Sequence, residues 1–244
     1  TPLYSSAASD VYKRQANDLG TYSVVISFVT VTTLLGQLGW PSATIYRVRR
    51  VGIPLPVSAT AGLLAMTGTS VLCVTACWWM EDRVSSELLG GAPVQIFRYG
   101  LPMIPAMIFG RWFVGICRAL ERFDLDNAYR FSVVAGTLVV LAVVLSVFDG
   151  GLAEAVIGVS AVNLITSFGL GFVVLRKTGV ALRVPGAELS ASLHYGVKTY
   201  VQAIATQLHE QVDIFMLAAL LTVQGEVAYL SLIHISEPTR LRRI

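Results

Sequence analysis

The stretch of sequence that decides the fold is Phe131-Ser-Val-Val-Ala-Gly-Thr-Leu-Val-Val-Leu-Ala-Val-Val-Leu-Ser-Val-Phe148. It lies between Arg130 and Asp149 and contains no charged side chain. Its length is close to the roughly 20 apolar residues that cross a bilayer as an α-helix. Hydrocarbon offers no hydrogen-bond partners, so a segment inside it must pair its own backbone N–H and C=O groups, as a helix does. The stretch therefore predicts a membrane-spanning helix.

Three further gaps in the distribution of charge repeat this pattern. They run from Asp18 to Arg47, from Arg50 to Glu81 and from Glu154 to Arg176. Over the whole chain 55% of residues are apolar and 14% are charged, against roughly 25% charged in an ordinary soluble domain. Continuous apolar runs without alternation of period two argue against a transmembrane barrel. The predicted fold class is all-α, a polytopic transmembrane helical bundle.

We predict about six spans from these apolar runs. They are Gly20–Ile45, Pro54–Met80, Tyr99–Leu120, Phe131–Phe148, Ala155–Leu175 and Leu193–Val223. The third is interrupted by the charge of Arg111, and the sixth is the most polar.

Arginine and lysine are distributed unevenly among the connections, and their excess marks the cytoplasmic side of a membrane protein. The connections after the first, third and fifth spans are rich in them: Arg47, Arg49 and Arg50; Arg118, Arg122 and Arg130; Arg176, Lys177 and Arg183. One intervening connection has Arg83 and Arg98, and the other has neither residue type. We therefore expect the rich connections to be cytoplasmic. The first span would start outside at Asp18, and at least one native span would precede it.

The two ends differ in character from the middle. Residues 5–15, Ser-Ser-Ala-Ala-Ser-Asp-Val-Tyr-Lys-Arg-Gln, resemble a translated transposase-type sequencing adapter, and residues 230–240 resemble its opposite-end counterpart. Asp10-Val-Tyr-Lys-Arg-Gln15 can be encoded by GAT GTG TAT AAG AGA CAG, whose reverse complement encodes Leu-Ser-Leu-Ile-His-Ile, the residues at 230–235. Such segments are excluded from fold reasoning. We expect residues 1–15 and 230–244 to be adapter-derived.

The sequence contains no pattern typical of a catalytic or cofactor site. Cys73, Cys77 and Cys117 fall inside apolar segments, and no histidine lies near Cys73 and Cys77 to complete a metal site. The net charge of +3 does not indicate nucleic-acid binding, because most basic residues lie in short loops between apolar runs. We expect neither an enzyme nor a bound cofactor or metal.

Arg111 is an ionisable residue in the middle of a predicted span. Such residues are costly in hydrocarbon and by default mark a bundle interior or a water-filled cavity. One interpretation is structural, with the side chain snorkelling or pairing with a carboxylate. The other is functional, with a cation that faces a cavity and attracts an anionic substrate.

The sixth predicted span carries a polar stripe at three- and four-residue steps, so its members share one helical face. They are Thr199, Gln202, Thr206, His209 and Asp213, with Glu210 beside them and Lys198 at the cytoplasmic end. A polar face on a spanning helix indicates an aqueous lumen, although a structural seam between helices would give the same pattern. Histidine and carboxylates serve proton relays in transporters, so the predicted ion-coupling residues are His209, Glu210 and Asp213.

Several stretches resemble a known family in their order along the chain. They are Leu19-Gly-Thr-Tyr-Ser23 leading to Leu38-Gly-Trp-Pro-Ser-Ala43; Arg118-Ala-Leu-Glu-Arg-Phe123; Tyr195-Gly196 with Gln211-Val-Asp-Ile-Phe-Met-Leu217; and Gly225-Glu-Val-Ala-Tyr229. In the last, Ala228 stands where glycine is more usual. The chain resembles a bacterial polysaccharide or lipid-linked oligosaccharide flippase of the multidrug/oligosaccharidyl-lipid/polysaccharide exporter superfamily.

The resemblance implies a multi-pass protein of the bacterial cytoplasmic (inner) membrane, built from two helical lobes around a central cavity. Residues 16–193 would form first-lobe helices, and residues 194–229 the first helix of the second lobe. The implied partner is a lipid-linked oligosaccharide on an undecaprenyl pyrophosphate, besides membrane lipid. Its anionic group would be attracted by Arg111 and Lys198, with Gln202 and Thr206 lining the same substrate site.

Two rival functions stay open at this point. A drug or cation antiporter of the same superfamily would share the architecture, although its cavity should be acidic. An integral membrane enzyme of polysaccharide assembly usually needs a large extramembrane loop, and the longest loops here are short. A purely structural subunit would not need a polar stripe.

Overall fold

The computed structural model describes residues 2–88, 93–146, 151–181, 186–201 and 204. Every regular element in these ranges is helical, and no strand occurs among them. The helices are α1 (Pro2–Gln37), α2 (Trp40–Tyr46), α3 (Leu55–Trp79), α4 (Glu81–Arg83), α5 (Val94–Gly100), α6 (Met103–Ala119), α7 (Phe123–Ser146), α8 (Leu152–Thr178) and α9 (residues 186–201). Short π-helical turns follow α2 at Arg47–Val51 and α4 at Val84–Leu88.

Five helical segments are long and apolar enough to cross a membrane. They are Asp18–Val51, Leu55–Trp79, Val94–Ala119, Phe123–Ser146 and Leu152–Thr178. The all-helical, multi-pass class is thereby confirmed, and these segments coincide with the first five predicted spans. The sixth, Leu193–Val223, lies mostly outside the described residues, although α9 contains its beginning.

Two predicted spans are broken by backbone geometry. In the first, Leu38 and Gly39 both have positive φ, of 47° and 69°, which ends α1 before Trp40 starts α2. In the third, the break falls at Leu101 and Pro102, whereas α6 continues without interruption through Arg111. A charged side chain leaves the helical backbone intact, while proline removes a backbone donor.

The helix α6 forms the centre of the bundle. Ile104, Ile108, Trp112 and Ile116 are fully buried, at four-residue steps that follow one helical face. The neighbouring helices α1, α2, α3 and α8 pack around α6, and α7 packs mainly against α8. The most apolar stretch of α7 has none of its residues buried in the structure. The face of α7 that points away from α8 is therefore available to lipid.

The connections rich in arginine and lysine meet at one end of the bundle. Arg49, after the first span, donates from Nε to the Ala119 carbonyl at the end of α6, at 2.5 Å. The backbone N–H of Ala181, after α8, donates to Thr60 Oγ1 near the start of α3, at 2.8 Å. The predicted alternation of rich and poor connections thus corresponds to a real segregation in space. That this end is cytoplasmic stays a prediction from the arginine and lysine excess.

The opposite end carries an ion pair beside interfacial aromatics. Arg98 donates from Nε and Nη2 to the two carboxylate oxygens of Glu81, at 2.8 and 2.5 Å. These bonds are the main reason why the pKa of Glu81 lies below its ordinary value. The guanidinium also lies 5.3 Å from the centre of the Trp78 ring, and Trp79 is 89% exposed. Tryptophan is enriched where a helix leaves the hydrocarbon, so α3 ends at a membrane interface.

Cysteine labelling tests this segregation of the ends. In right-side-out vesicles, with the three native cysteines replaced, Arg50→Cys and Lys177→Cys should share the same accessibility to an impermeant maleimide. Ser86→Cys, in the turn after α4, should show the opposite accessibility. Both basic positions are exposed in the structure, as is Ser86. Labelling of Arg50→Cys and Lys177→Cys from different sides would contradict the fold.

Candidate functional site

Arg111 is half-buried in α6, within the bundle. The ionisable groups that act on its charge are the phenols of Tyr200 and Tyr129 and the guanidinium of Arg130. Among the described residues no carboxylate forms an ion pair with it. The cation therefore has hydroxyl-bearing neighbours from α7 and α9 in place of a counter-charge.

The hydroxyl of Tyr129 is fixed between α6 and α8. It forms a hydrogen bond with Ser167 Oγ at 3.1 Å. Gly110, which precedes Arg111, lies against both groups: a Cβ atom there would collide with the Tyr129 hydroxyl and with Ser167 Oγ. The glycine thus lets α7 and α8 bring polar groups close to the α6 backbone beside the cation.

One face of α9 docks on the corner between α1 and α2. The buried residues of this face recur at four-residue steps, and we call them the α9 seam: Glu188, Ser192, Gly196 and Tyr200. The Tyr200 hydroxyl donates to the Leu34 carbonyl of α1. The Gly196 carbonyl lies where a Cβ on Gly39 would be, so a side chain at the corner would force the two segments apart.

The same seam continues toward the basic end of the bundle. The rings of Tyr46 and Tyr195 stack with centroids 4.0 Å apart and an interplanar angle of 7°. Further along, Arg47 holds both carboxylate oxygens of Glu188, with an Nε–Oε1 distance of 2.9 Å. Ser192 Oγ donates to the same carboxylate at 3.0 Å. Glu188 is 5% exposed, so its charge is buried and paired.

A second buried carboxylate lies between α6 and α7. Asp126 is 5% exposed, and its two oxygens accept hydrogen bonds from Nε of Arg118 at 2.8 Å and Nε of Arg130 at 2.7 Å. Asp124 and Asp126 lie in the first turn of α7, where the positive end of the helix dipole favours negative charge. This explains why α7 begins at Phe123, although the charge gap predicted a start at Phe131.

The predicted site residues separate into three groups. Arg111 lies half-buried inside the bundle, and its role as a substrate-binding residue stays a prediction. Lys198 is exposed and lies about 160° around α9 from Tyr200. The others lie outside the described residues, so their predicted roles stay predictions: Gln202, Thr206, His209, Glu210 and Asp213.

Sequence reasoning missed four residues that organise this region. Tyr129 and Tyr200 carry phenol groups within electrostatic range of Arg111, and Asp126 and Glu188 form ion pairs with arginines. The ion pair of Asp126 could have been found from the sequence, because Asp126 lies four residues before Arg130 at the start of a helix. The ion pair of Glu188 could not, because its partner Arg47 is distant in the sequence. In the part of the chain that the structure describes, no group of three or more His, Cys, Asp or Glu side chains could hold a metal ion.

Docking of the α9 seam is tested by Gly39→Ala. Gly39 has a φ of 69°, so alanine adds the left-handed penalty of roughly 1–2 kcal/mol and also collides with the Gly196 backbone. Gly52→Ala is the control: Gly52 has a φ of 77°, and nothing lies within 4 Å of a Cβ there. Gly39→Ala should lower the thermal unfolding midpoint in detergent clearly more than Gly52→Ala. Equal shifts would mean that α9 does not dock at Gly39.

The buried ion pair of the seam is tested by Glu188→Gln. This change leaves the Arg47 side chain, which is 17% exposed, without its counter-charge, and we expect a loss of about 3 kcal/mol. Glu81→Gln is the matched control, since its partner Arg98 is 46% exposed and better screened by solvent. Thermal unfolding in detergent should show the larger shift for Glu188→Gln, and a larger shift for the control would contradict the assigned burial.

The chain matches no family model, no curated protein and no solved structure.

Proposed function

We propose that the chain belongs to a transporter that moves a lipid-linked oligosaccharide, or exports polysaccharide precursors, across the bacterial cytoplasmic membrane. The proposal rests on the position of Arg111 inside a bundle of membrane-length helices. Among the described residues this cation has no carboxylate partner. A charge held at membrane depth is costly, and evolution retains it mainly along substrate or ion pathways.

The chemistry around Arg111 favours an anionic cargo. A guanidinium presents five N–H donors in a planar fork that matches phosphate and carboxylate oxygens. Tyr129 and Tyr200 add hydroxyl groups near this cation without neutralising it. A pyrophosphate that links a sugar to a polyprenol has the complementary charge, and an acidic sugar would have it as well.

The α9 seam supports a two-lobed mechanism. In the proposal α9 leads into the second lobe, whose start is assigned to residue 194, inside the continuous helix over residues 186–201. Within the described residues it docks on the α1–α2 corner through the Tyr200 hydrogen bond, the Arg47–Glu188 ion pair, the stacked Tyr46–Tyr195 rings and the close approach of Gly39 and Gly196. Rocking of one lobe against the other about a midplane site is a general mechanism of transporters. His209, Glu210 and Asp213 remain the candidates for ion coupling.

The rival reading is a cation antiporter of the same superfamily. A cavity that carries Arg111 repels a cationic drug unless acidic residues outweigh it. Glu210 and Asp213 are the residues that could do so, and they lie outside the described residues. The sign of the preferred cargo therefore separates the two functions.

Substitution of Arg111 in the full-length gene product tests the proposal. Arg111→Ala should reduce polysaccharide export at least roughly tenfold, the equivalent of about 1.4 kcal/mol of lost interaction, and Arg111→Lys should restore part of it. Arg50→Gln, at an exposed arginine of the basic end, is the control and should leave export unchanged. Membrane abundance of each variant is measured alongside. Export that survives Arg111→Ala at normal abundance would refute this assignment, and resistance to cationic drugs that depends on Glu210 or Asp213 would favour the antiporter.

A further inference from the structure

Two arrangements of arginine with carboxylate in this bundle differ in the donors that they leave unused. Three arginines use Nε and Nη2 together on the two oxygens of one carboxylate. These pairs are Arg47 with Glu188, Arg98 with Glu81 and Arg122 with Asp124. At Asp126, by contrast, one carboxylate is shared by Arg118 and Arg130, and each donates through Nε alone.

The shared arrangement leaves a net positive charge and unused donors. The neighbouring carboxylates do not cancel the charge, because Glu121 pairs with Arg49 and Asp124 pairs with Arg122. No further hydrogen bond of Arg118 or Arg130 occurs within the described ranges, so their Nη groups remain available.

The two guanidinium groups are also accessible. The side chains of Arg118 and Arg130 are 42% and 59% exposed, whereas that of the Asp126 between them is 7% exposed. A buried carboxylate thus holds two exposed guanidinium groups on either side of itself. Paired guanidinium groups with free N–H donors are well suited to the oxygens of a phosphate.

An exposed apolar stripe begins at this cluster. Val134 and Leu138 follow Arg130 at four-residue steps on α7, so they share its face. They are 61% and 64% exposed, and the adjacent Phe131 is 75% exposed. A phosphate at Arg130 would therefore have an apolar surface directly along the helix, in the direction of the membrane interior.

We propose that Arg118 and Arg130, held by Asp126, bind the headgroup phosphate of an anionic membrane lipid whose acyl chains lie along Val134 and Leu138. Free phosphate shares the headgroup chemistry but would gain nothing from the stripe. The site needs no transport activity: the Arg130 charge acts on Arg111, but the ligand proposed for Arg118 and Arg130 is a resident lipid and not the cargo. It would fix α6 and α7 at the membrane surface of the basic end.

Native mass spectrometry of the delipidated full chain in detergent tests this site. The chain is titrated with phosphatidylglycerol, with phosphatidylcholine of the same acyl chains, and with inorganic pyrophosphate. We expect phosphatidylglycerol to bind more tightly than the other two. Arg130→Gln should weaken phosphatidylglycerol binding roughly tenfold, a loss of about 1.4 kcal/mol, and Arg130→Lys should weaken it less.

Arg122→Gln is the matched control for this experiment. Arg122 lies at the same end and is 41% exposed, but Asp124 occupies its bidentate edge, so its removal should leave lipid binding unchanged. Thermal unfolding of each variant confirms that it is folded, and Arg130→Lys keeps the charge if Arg130→Gln does not fold. Equal losses for Arg130→Gln and Arg122→Gln would overturn the site in favour of diffuse charge. Pyrophosphate binding as tight as that of the lipid would overturn the part played by the stripe.

Discussion

The structure depends on hydrogen-bond donors for the carbonyl groups at helix ends inside the bundle. The last four carbonyl groups of any α-helix lack partners within it, and in hydrocarbon no water replaces them. Three helix ends obtain a donor from a distant side chain: Tyr200 for the Leu34 carbonyl of α1, Ser160 for Tyr99 of α5, and Arg49 for Ala119 of α6. Each of these bonds also ties together elements that are far apart in the sequence. The need to satisfy carbonyl groups thus helps to determine which helices are neighbours.

Four polar side chains within the helices form hydrogen bonds with their own helix. Thr60, Thr75, Asn163 and Thr166 donate to carbonyl groups four residues earlier, at 2.9, 2.7, 2.9 and 2.7 Å. A donor used in this way costs little in an apolar environment and leaves the backbone helical. Hydroxyl and amide residues therefore do not interrupt the spans, whereas Pro102 and the positive-φ pair Leu38 and Gly39 do.

The periodicity and the charge gaps of the sequence were sufficient to predict the first five spans, because the length of an apolar run is a local property. They also placed Arg111 at depth and predicted that the basic connections meet at one end. They could not predict the α9 seam, since Gly39 meets Gly196 and Arg47 meets Glu188 across more than 100 residues of chain, roughly the length of a small domain. The sequence predicted a span that starts at Phe131, and the helix that contains this span begins earlier, at Phe123. Charge was used to end a span, but Asp124 and Asp126 are favourable inside the first turn of a helix.

The arginines at the basic end and Arg111 in the interior differ in their counter-charges, and this difference bears on function. At the basic end, carboxylates hold the arginines in defined geometry, and solvent screens what remains. In the interior, Arg111 has phenol neighbours and no described counter-ion. The surrounding core adds buried polar atoms without a described hydrogen-bond partner: Thr33 Oγ1, Gln37 Nε2, Thr44 Oγ1, Ser70 Oγ and Trp112 Nε1. They belong to α1, α2, α3 and α6. Buried groups of this kind cost free energy that a purely structural bundle avoids. Water or a polar cargo that supplied hydrogen-bond partners for these atoms would remove that cost, whereas an apolar neighbour would not.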